Sequence, residues 1–453
     1  MKRTLLACAL SLTIANLYAA APATAATIVT SSSTPDTTKT TTVPTPTAAT
    51  VASTTYSTAV PLNKYGAVNV NAKVPYEAQV PPAPADFQAP ALNPLVLQWP
   101  GVIPTQPDLN VEAYLLMDAN SGNILAEYNG NKRLPPASIT KLMLVYIAEQ
   151  QLASGTLHLT DKVNVPQVAW ATGGSRMFLK PGSLVTIDQL INGILVDSGN
   201  DAAVTLATDI AGSQSSMTDM MNSQAQKLGM TNSHFSTVMG LPAPNLYSSA
   251  RDLAVLARTM ILQFPQNQPW FARKSYTYDN IKQYNFNKLL FIYSYADGMK
   301  TGSTAEAGFS LVSTAKMPND PMRLIAVVLG APTNNENASA SKSLLTYGFR
   351  FFQSQMLYPA GKVLTQAPIS GGATKTVDVG ITQDLYATYP RTSKGKLSAD
   401  LQLNQNITAP ITKGQVLGQV VISLDGKPFS TAPAVAMKDV AKGTWWQQLM
   451  NWF

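Results

Sequence analysis

The chain of 453 residues has one cysteine, Cys8, and two histidines, His158 and His234. Cys8 falls within "MKRTLLACALSLTIANLYAAAPATAA", residues 1–26. There Lys2 and Arg3 precede an apolar run over 5–17. Ala21-Pro22-Ala23 and Ala23-Thr24-Ala25 then offer small-residue cleavage sites, the pattern of a secretory signal peptide. The run is short of the ~20 residues that a bilayer crossing needs. Cys8 precedes most of it, too early for a lipoprotein site. An exported chain without Cys8 has no disulfide framework and no thiol chemistry. The histidines, in "GTLHLTD" and "TNSHFST", have no second ligand at fixed spacing, so they read as structural, and no metal is expected. A Walker-type phosphate loop is also missing, and no cofactor is expected. Charge is scarce at 13% of residues. The formal +7 falls to +5 without Lys2 and Arg3, a mild excess suited to anionic lipid or cell-wall polymer. No basic cluster is interleaved with aromatics, which speaks against nucleic acid.

Ser, Thr, Pro and Ala are abundant and unevenly placed. Residues 27–107, beginning "TIVTSSSTPDTTKTTTVPTPTAAT" and including "VPPAPADFQAPALNP", cannot bury enough apolar surface to fold alone and are expected to be a disordered tether. From Val111 the pattern changes. "VEAYLLMDANSGNILAEYNG" is two strand-like runs around a turn at Asn120-Ser121-Gly122-Asn123. Helical runs follow: one after Pro136, one opened by Thr186 and Gln189 as a capping box, and one ending at Gly212. Others are opened by Ser216 with Asp219 and by Ser249 with Asp252. "AGFSLVSTAKM" and "MRLIAVVLG" read as buried strands, and "SASKSLLTYGFRFFQ" as a helix. Strands first and last with helices between predict one α+β domain over 108–357, whose antiparallel sheet joins its two ends. Short alternating segments over 362–437 predict a small all-β domain. In the tail, 438–453, Trp445, Trp446, Leu449, Met450, Trp452 and Phe453 recur at helical spacing. Such a face is too short to span a bilayer and suits lying in its interface, aided by Lys438 and Lys442. Docking on the β domain is the alternative.

Four Ser-x-x-Lys pairs occur, at Ser138, Ser313, Ser339 and Ser393, so that spacing alone decides nothing. Ser-Gly-Asn occurs at Ser121 and Ser198, and Lys-Thr-Gly once, at Lys300. Order sorts them. Ser121 sits in a hairpin turn, where Gly and Asn are expected for backbone reasons. Ser138 with Lys141 stands at a helix start, Ser198 with Asn200 between two helices, and Lys300-Thr301-Gly302 on a strand. Taken singly, Ser138 is a helix cap, Ser198 and Asn200 are loop formers and Lys300 is a surface charge. Only Ser138, Ser198 and Lys300 give three polar groups in series, at a helix start, an interhelix loop and a strand edge.

That series resembles the penicillin-recognising serine enzymes. The stretches "PASITKLM", "AWATGGSRMFLKPG", "LVDSGNDAA", "MNSQAQKLGMTNSHF", "YSSARDLA", "GMKTGSTAEAGFSLV" and "LLTYGFRFF" are similar to the D-alanyl-D-alanine carboxypeptidases of the low-molecular-weight penicillin-binding proteins. The likeness runs from 108 to the chain end. It implies a β-lactamase/DD-peptidase-like domain followed by a small β domain and an amphipathic helix. The implied reaction removes the terminal D-alanine from peptidoglycan stem pentapeptides through an acyl-enzyme on Ser138, with β-lactams as covalent inhibitors. Lys141 is implied as base and Ser198 as proton relay to the leaving amine. Asn200 is implied to bind substrate backbone, and Lys300 and Thr301 the terminal carboxylate. The oxyanion would lie between the N–H groups of Ser138 and Ser303, and Gly302 lets the substrate strand approach. The location implied is the periplasmic face of the inner membrane.

Three features depart from close relatives: Ser303 where histidine often follows Lys-Thr-Gly, Asn337 near an arginine position, and a shorter loop between Trp170 and Phe178. Between Glu149 and Glu306 there is no glutamate, so the deacylating carboxylate of a class A β-lactamase is missing. Other uses of this pattern are a DD-endopeptidase and a catalytically idle wall-binding scaffold.

Overall fold

The computed structural model describes residues 103–444. The expected signal peptide, the tether up to 102 and the Trp-rich segment 445–453 lie outside the described residues.

Five strands, β1 (Ala113–Asp118), β2 (Ile124–Tyr128), β3 (Ala296–Thr304), β4 (Gly308–Lys316) and β5 (Arg323–Ala331), form one antiparallel sheet in the order β2-β1-β5-β4-β3. The strands at the two ends of the domain's sequence thus pair, as the α+β pattern requires. Alternation along a strand sends successive side chains to opposite faces. Leu115, Met117, Ile325 and Val327 enter the larger core cluster, while Tyr114, Leu116, Leu324 and Ala326 enter another. Both faces are covered, which is why β1 and β5 read as nearly continuous apolar runs.

The larger cluster includes α1 (Lys141–Ser154), α2 (Ile187–Leu195), α3 (Asn200–Ala211), α4 (Gln214–Lys227) and α5 (Ala250–Gln263). Helix α6 (Asn334–Phe351) covers the other face through Leu344 and Leu345. α1 is buried all round from Lys141 to Gln151, as a central helix must be. The capping box at Thr186 and Gln189 is present on α2, and Ser249 caps α5. Two boundaries differ from expectation. α4 is capped by Ser213, which accepts the amide of Ser216, so Ser216 lies inside the first turn. α6 starts at Asn334, ahead of Ser339, because Thr333 caps it by accepting the amide of Glu336.

Beyond α6, strands Val363–Pro368, Thr376–Gly380, Lys427–Ala436, Val416–Leu424 and Leu397–Leu403 form a five-stranded sheet around their own core. Phe352–Tyr358, placed with the catalytic domain by sequence pattern, instead pairs with Leu385–Pro390. That partner is non-local and leaves no trace in local spacing.

The 118–123 turn has a second task. Asn123 is fully buried; its Nδ2 donates to Thr388 O (3.2 Å) and its Oδ1 accepts from Ser430 Oγ (2.9 Å). Asp118 accepts hydroxyls from Ser121 (3.1 Å), Ser354 (3.0 Å) and Thr388. The hairpin is therefore also the polar joint to the β domain. Residues 103–107, assigned to the tether by composition, are tied to the catalytic domain instead. Pro104 O accepts from Tyr347 Oη (3.0 Å), and Gln106 exchanges two bonds with the backbone of Glu127. Composition carries no sign of these distant partners.

Candidate active site

Ser138 lies in a single 3-10 turn, Ala137–Thr140, that leads into α1. Ala137 takes φ +47°, a left-handed conformation that an L residue adopts at a cost. Two glycines make room for this turn. A Cβ on Gly240 would sit 1.8 Å from Ala137 O, and one on Gly302 would sit 2.6 Å from Pro136 O and 3.1 Å from Ser138 N. Only glycine lets both backbones close on the serine.

Lys141 begins α1, one turn after Ser138. Its Nζ lies 2.9 Å from Ser138 Oγ and donates to Met239 O at 2.8 Å. The lysine is fully buried. Burial holds its pKa well below the ordinary lysine value, the nearby Lys300 cation pushes it the same way, and Asp201 opposes. A buried amine that loses its proton easily can accept one from a serine hydroxyl.

Lys300 sits on β3 facing the same space. Its Nζ donates to Ser198 Oγ (2.9 Å) and to Thr301 O (2.9 Å), and burial lowers its pKa to about 7. Ser198 occupies the turn between α2 and α3 with φ +55°. Thr301 is half-buried and Ser303 is exposed on the same strand. β3 meets the serine turn directly at Gly302, and that close approach fixes where Thr301 and Ser303 stand on either side of it.

Asn200 is the first residue of α3 and is buried. Its Nδ2 donates to Gly173 O (2.6 Å), its N–H to Ser175 O (2.8 Å), and its Oδ1 has no partner. A buried, unpaired acceptor costs free energy, about 1–3 kcal/mol, unless something else binds it. The structure thus brings Ser138, Lys141, Ser198 and Lys300 together and packs Gly302 against them. Asn200 is reached through the adjoining loop. The second Ser-Gly-Asn, at Ser121, belongs to the domain joint instead.

Pattern reasoning missed several contributors. Met239 O and Gly240 serve the nucleophile turn, but a lone Gly in "VMGLPAP" is a weak signal. Asp201 holds the neighbouring loop, accepting N–H from Met177 (2.9 Å) and Leu179 (3.0 Å). Asp197, immediately before Ser198, is buried with one unpaired oxygen. Burial first and Asp201 second push its pKa up to about 7. Asn337 is buried on α6 with Oδ1 unpaired. His234 Nδ1 lies 2.8 Å from Asn245 O, remote in role from these groups. Among the described residues no cluster of His, Cys, Asp and Glu could hold a metal ion.

Comparison with known proteins converges on one family. A family model described as D-alanyl-D-alanine carboxypeptidase matches residues 101–333, and one described as the C-terminal domain of penicillin-binding protein 5 matches 352–442. The chain is 40% identical over 359 residues to the D-alanyl-D-alanine carboxypeptidase DacA of Escherichia coli, covering 78% of this chain and 89% of the relative. It is 41% identical over 346 residues to DacC of the same organism, covering 74% and 86%. Its fold is similar to penicillin binding protein 5 from Haemophilus influenzae, with TM-score 0.67, 39% identity, and 75% of this chain and 99% of that one covered.

Proposed function

This chain belongs to the serine D-alanyl-D-alanine carboxypeptidase family, and we propose that Ser138 is its nucleophile and Lys141 its base. The observation that carries this is the 2.9 Å approach of a fully buried amine, whose pKa burial holds well below the ordinary lysine value, to the serine hydroxyl. Ser138 Oγ attacks the carbonyl of the penultimate D-alanine as its proton passes to Lys141 Nζ. Met239 O holds one N–H of the amine, which helps to aim its lone pair. The N–H groups of Ser138 and Ser303 are the proposed oxyanion donors, and Gly302 allows that approach. Ser198, bonded to Lys300, gives its hydroxyl proton to the leaving D-alanine amine and is reprotonated with the proton that Lys141 took from Ser138, which restores both groups. Lys300 and Thr301 take the terminal carboxylate, which restricts the site to free C-termini. Asn200 binds the backbone upstream. Water then releases the acyl group from Ser138.

The same acylation supports covalent trapping by β-lactams. The missing glutamate between Glu149 and Glu306 supports slow release of that adduct. The stem peptides of peptidoglycan are the proposed substrate, met at the periplasmic face of the inner membrane after export. Residues 445–453 are the proposed attachment. A cut for testing that must follow Thr444, because Gly443 N donates to Gly371 O (2.9 Å) and Ala441 O accepts from Ala373 N within the β domain. A chain ending at 444 is expected in the soluble fraction; unchanged pelleting with membranes removes the tail from the proposal.

The decisive assay is D-alanine release from a peptide ending in D-Ala-D-Ala, with Ser138→Ala alongside. Release is expected from the parent, and a fall of at least ~10⁴-fold in the variant. Covalent penicillin binding without release by the parent points to another acyl donor, such as a cross-linked peptide. Neither reaction by a folded parent leaves the idle scaffold.

A further inference from the structure

Beside the second motif lies a pocket of about 140 Å³, lined by Trp170, Arg176, Phe178, Leu179, Lys180 and Asp201. Building on the reaction proposed above, we propose that this pocket is a subsite for a side-chain carboxylate of the donor peptide upstream of its D-alanine pair, with Arg176 as the residue that reads it.

The wall is fixed rather than loose. Four bonds tie the loop to the start of α3: Asn200 donates twice, to Gly173 O (2.6 Å) and Ser175 O (2.8 Å), and Asp201 accepts from Met177 and Leu179. Gln283 Nε2, from the strand Ile281–Tyr284, donates to Arg176 O (2.9 Å). Arg176 is thus anchored through its backbone on both sides. Its side chain is not: Arg176 is half-buried, and among the described residues its guanidinium has no ion pair or hydrogen bond. Other arginines here are held, Arg251 by Glu127, Arg323 by Asp297 and Arg391 by Asp320.

The nearby charges leave Arg176 available. Lys180 is paired with Asp279 (2.6 Å). Asp201 is 1% exposed, and its carboxylate is taken up by the N–H groups of Met177, Leu179 and Ala202. Trp170 and Phe178 are 45% and 49% exposed, and Phe178 is presented from a strained φ of +66°. Two open rings beside an unpaired guanidinium suit a carboxylate on a short aliphatic stem. The rings cover the methylenes, and the planar fork takes both carboxylate oxygens. The volume equals roughly four or five waters at about 30 Å³ each, enough for such a group.

Direction also favours an upstream residue. The terminal carboxylate is assigned to Lys300 and Thr301, and the upstream backbone to Asn200. Asn200 is bonded to Gly173 and Ser175, next to Arg176 in the same loop, so a chain leaving the site past Asn200 runs along the loop that carries Arg176.

The test compares D-alanine release from capped peptides ending in D-Ala-D-Ala. Each carries a side-chain carboxylate, or its carboxamide isostere, at the first or second residue upstream. The wild type is expected to prefer one carboxylate peptide by ~10-fold or more in kcat/KM, mainly through KM. Arg176→Gln should erase that preference while leaving carboxamide turnover unchanged, and Arg176→Lys should restore part of it. Arg176→Glu should reverse it. Equal turnover of carboxylate and carboxamide peptides at both positions, or a preference that survives in Arg176→Gln, overturns the subsite while the carboxypeptidase reading stands. No D-alanine release from any peptide by the wild type overturns the reaction itself, and the subsite with it.

Discussion

The buried charges at the domain joint and those in the cleft are built on opposite principles. At the domain joint, Asp118 is fully buried but surrounded by donors: the hydroxyls of Ser121, Ser354 and Thr388 and the amides of Asn120 and Ser121. Burial raises its pKa, and the bonds from Thr388 and Ser354 pull it back. Arg258 extends the cluster by donating to Ala119 O (2.6 Å) and Asn120 O (3.0 Å). In the cleft, Lys141 and Lys300 are just as buried, yet their nearest partners are hydroxyls and carbonyls rather than carboxylates. Burial is the first cause of both lowered pKa values. A structural charge is satisfied; a chemical one is left wanting a proton partner or an anion.

Removing charge from the cleft should therefore cost rate and spare stability. Lys141→Met is expected to lower kcat for D-alanine release by ~10³-fold or more, within the range for loss of a positioned base. Thermal unfolding should occur at the same or a higher temperature, because a desolvated amine is gone. A large drop in unfolding temperature would mean that Lys141 is part of the structural frame.

The joint should behave in reverse. Asp118→Ala takes the shared acceptor from three hydroxyls and two backbone amides and is expected to cost about 3 kcal/mol or more of stability, since several buried donors lose a charged partner at once. Asn123→Ala, which strips Thr388 O and Ser430 Oγ of a partner, should cost about 1–3 kcal/mol. Denaturant unfolding measures both, and kcat for any folded fraction should stay within about twofold of the parent, given the sites' separate networks. A strong fall in kcat for Asn123→Ala at full folding would join the two clusters into one functional unit.

The smallest expected effect is in pH. Lys300 must be protonated to hold a carboxylate, and its pKa is about 7 in the free protein. Above that pH the cation is lost, so kcat/KM should fall with rising pH. A bound carboxylate favours the charged form and raises the pKa, so kcat should fall later. Lys300→Arg keeps the charge at high pH and should move the alkaline limb of kcat/KM upward even where absolute activity drops. A limb that stays in place belongs to another group, with Asp197 the nearest candidate.

Much of this was legible without coordinates. Periodicity marked the strands and helices of the catalytic domain, and polar caps marked the starts of α2 and α5, because both signals depend on neighbours within one or two turns. Ser138, Lys141, Ser198, Asn200 and Lys300 stood out through their order along the chain. Local pattern misjudged the starts of α4 and α6, where several small polar residues compete for the cap, and the strand Phe352–Tyr358, whose partner lies far off in sequence. It also took the 118–123 turn as backbone chemistry alone, since burial of Asn123 depends on the arrival of Thr388 and Ser430.

By itself, the sequence determined which chemical groups are available: one serine before a lysine at a helix start, no cysteine beyond Cys8, and no glutamate for fast deacylation. Only the tertiary structure decided what those groups are. Burial lowers the pKa of both Lys141 and Lys300, with the nearby Lys300 cation adding to the shift on Lys141. The loop that carries Arg176 is pinned through its backbone, and among the described residues the guanidinium has no ion pair. Desolvation, close approach and the absence of a partner are properties of three-dimensional neighbours, and spacing along a chain does not encode them.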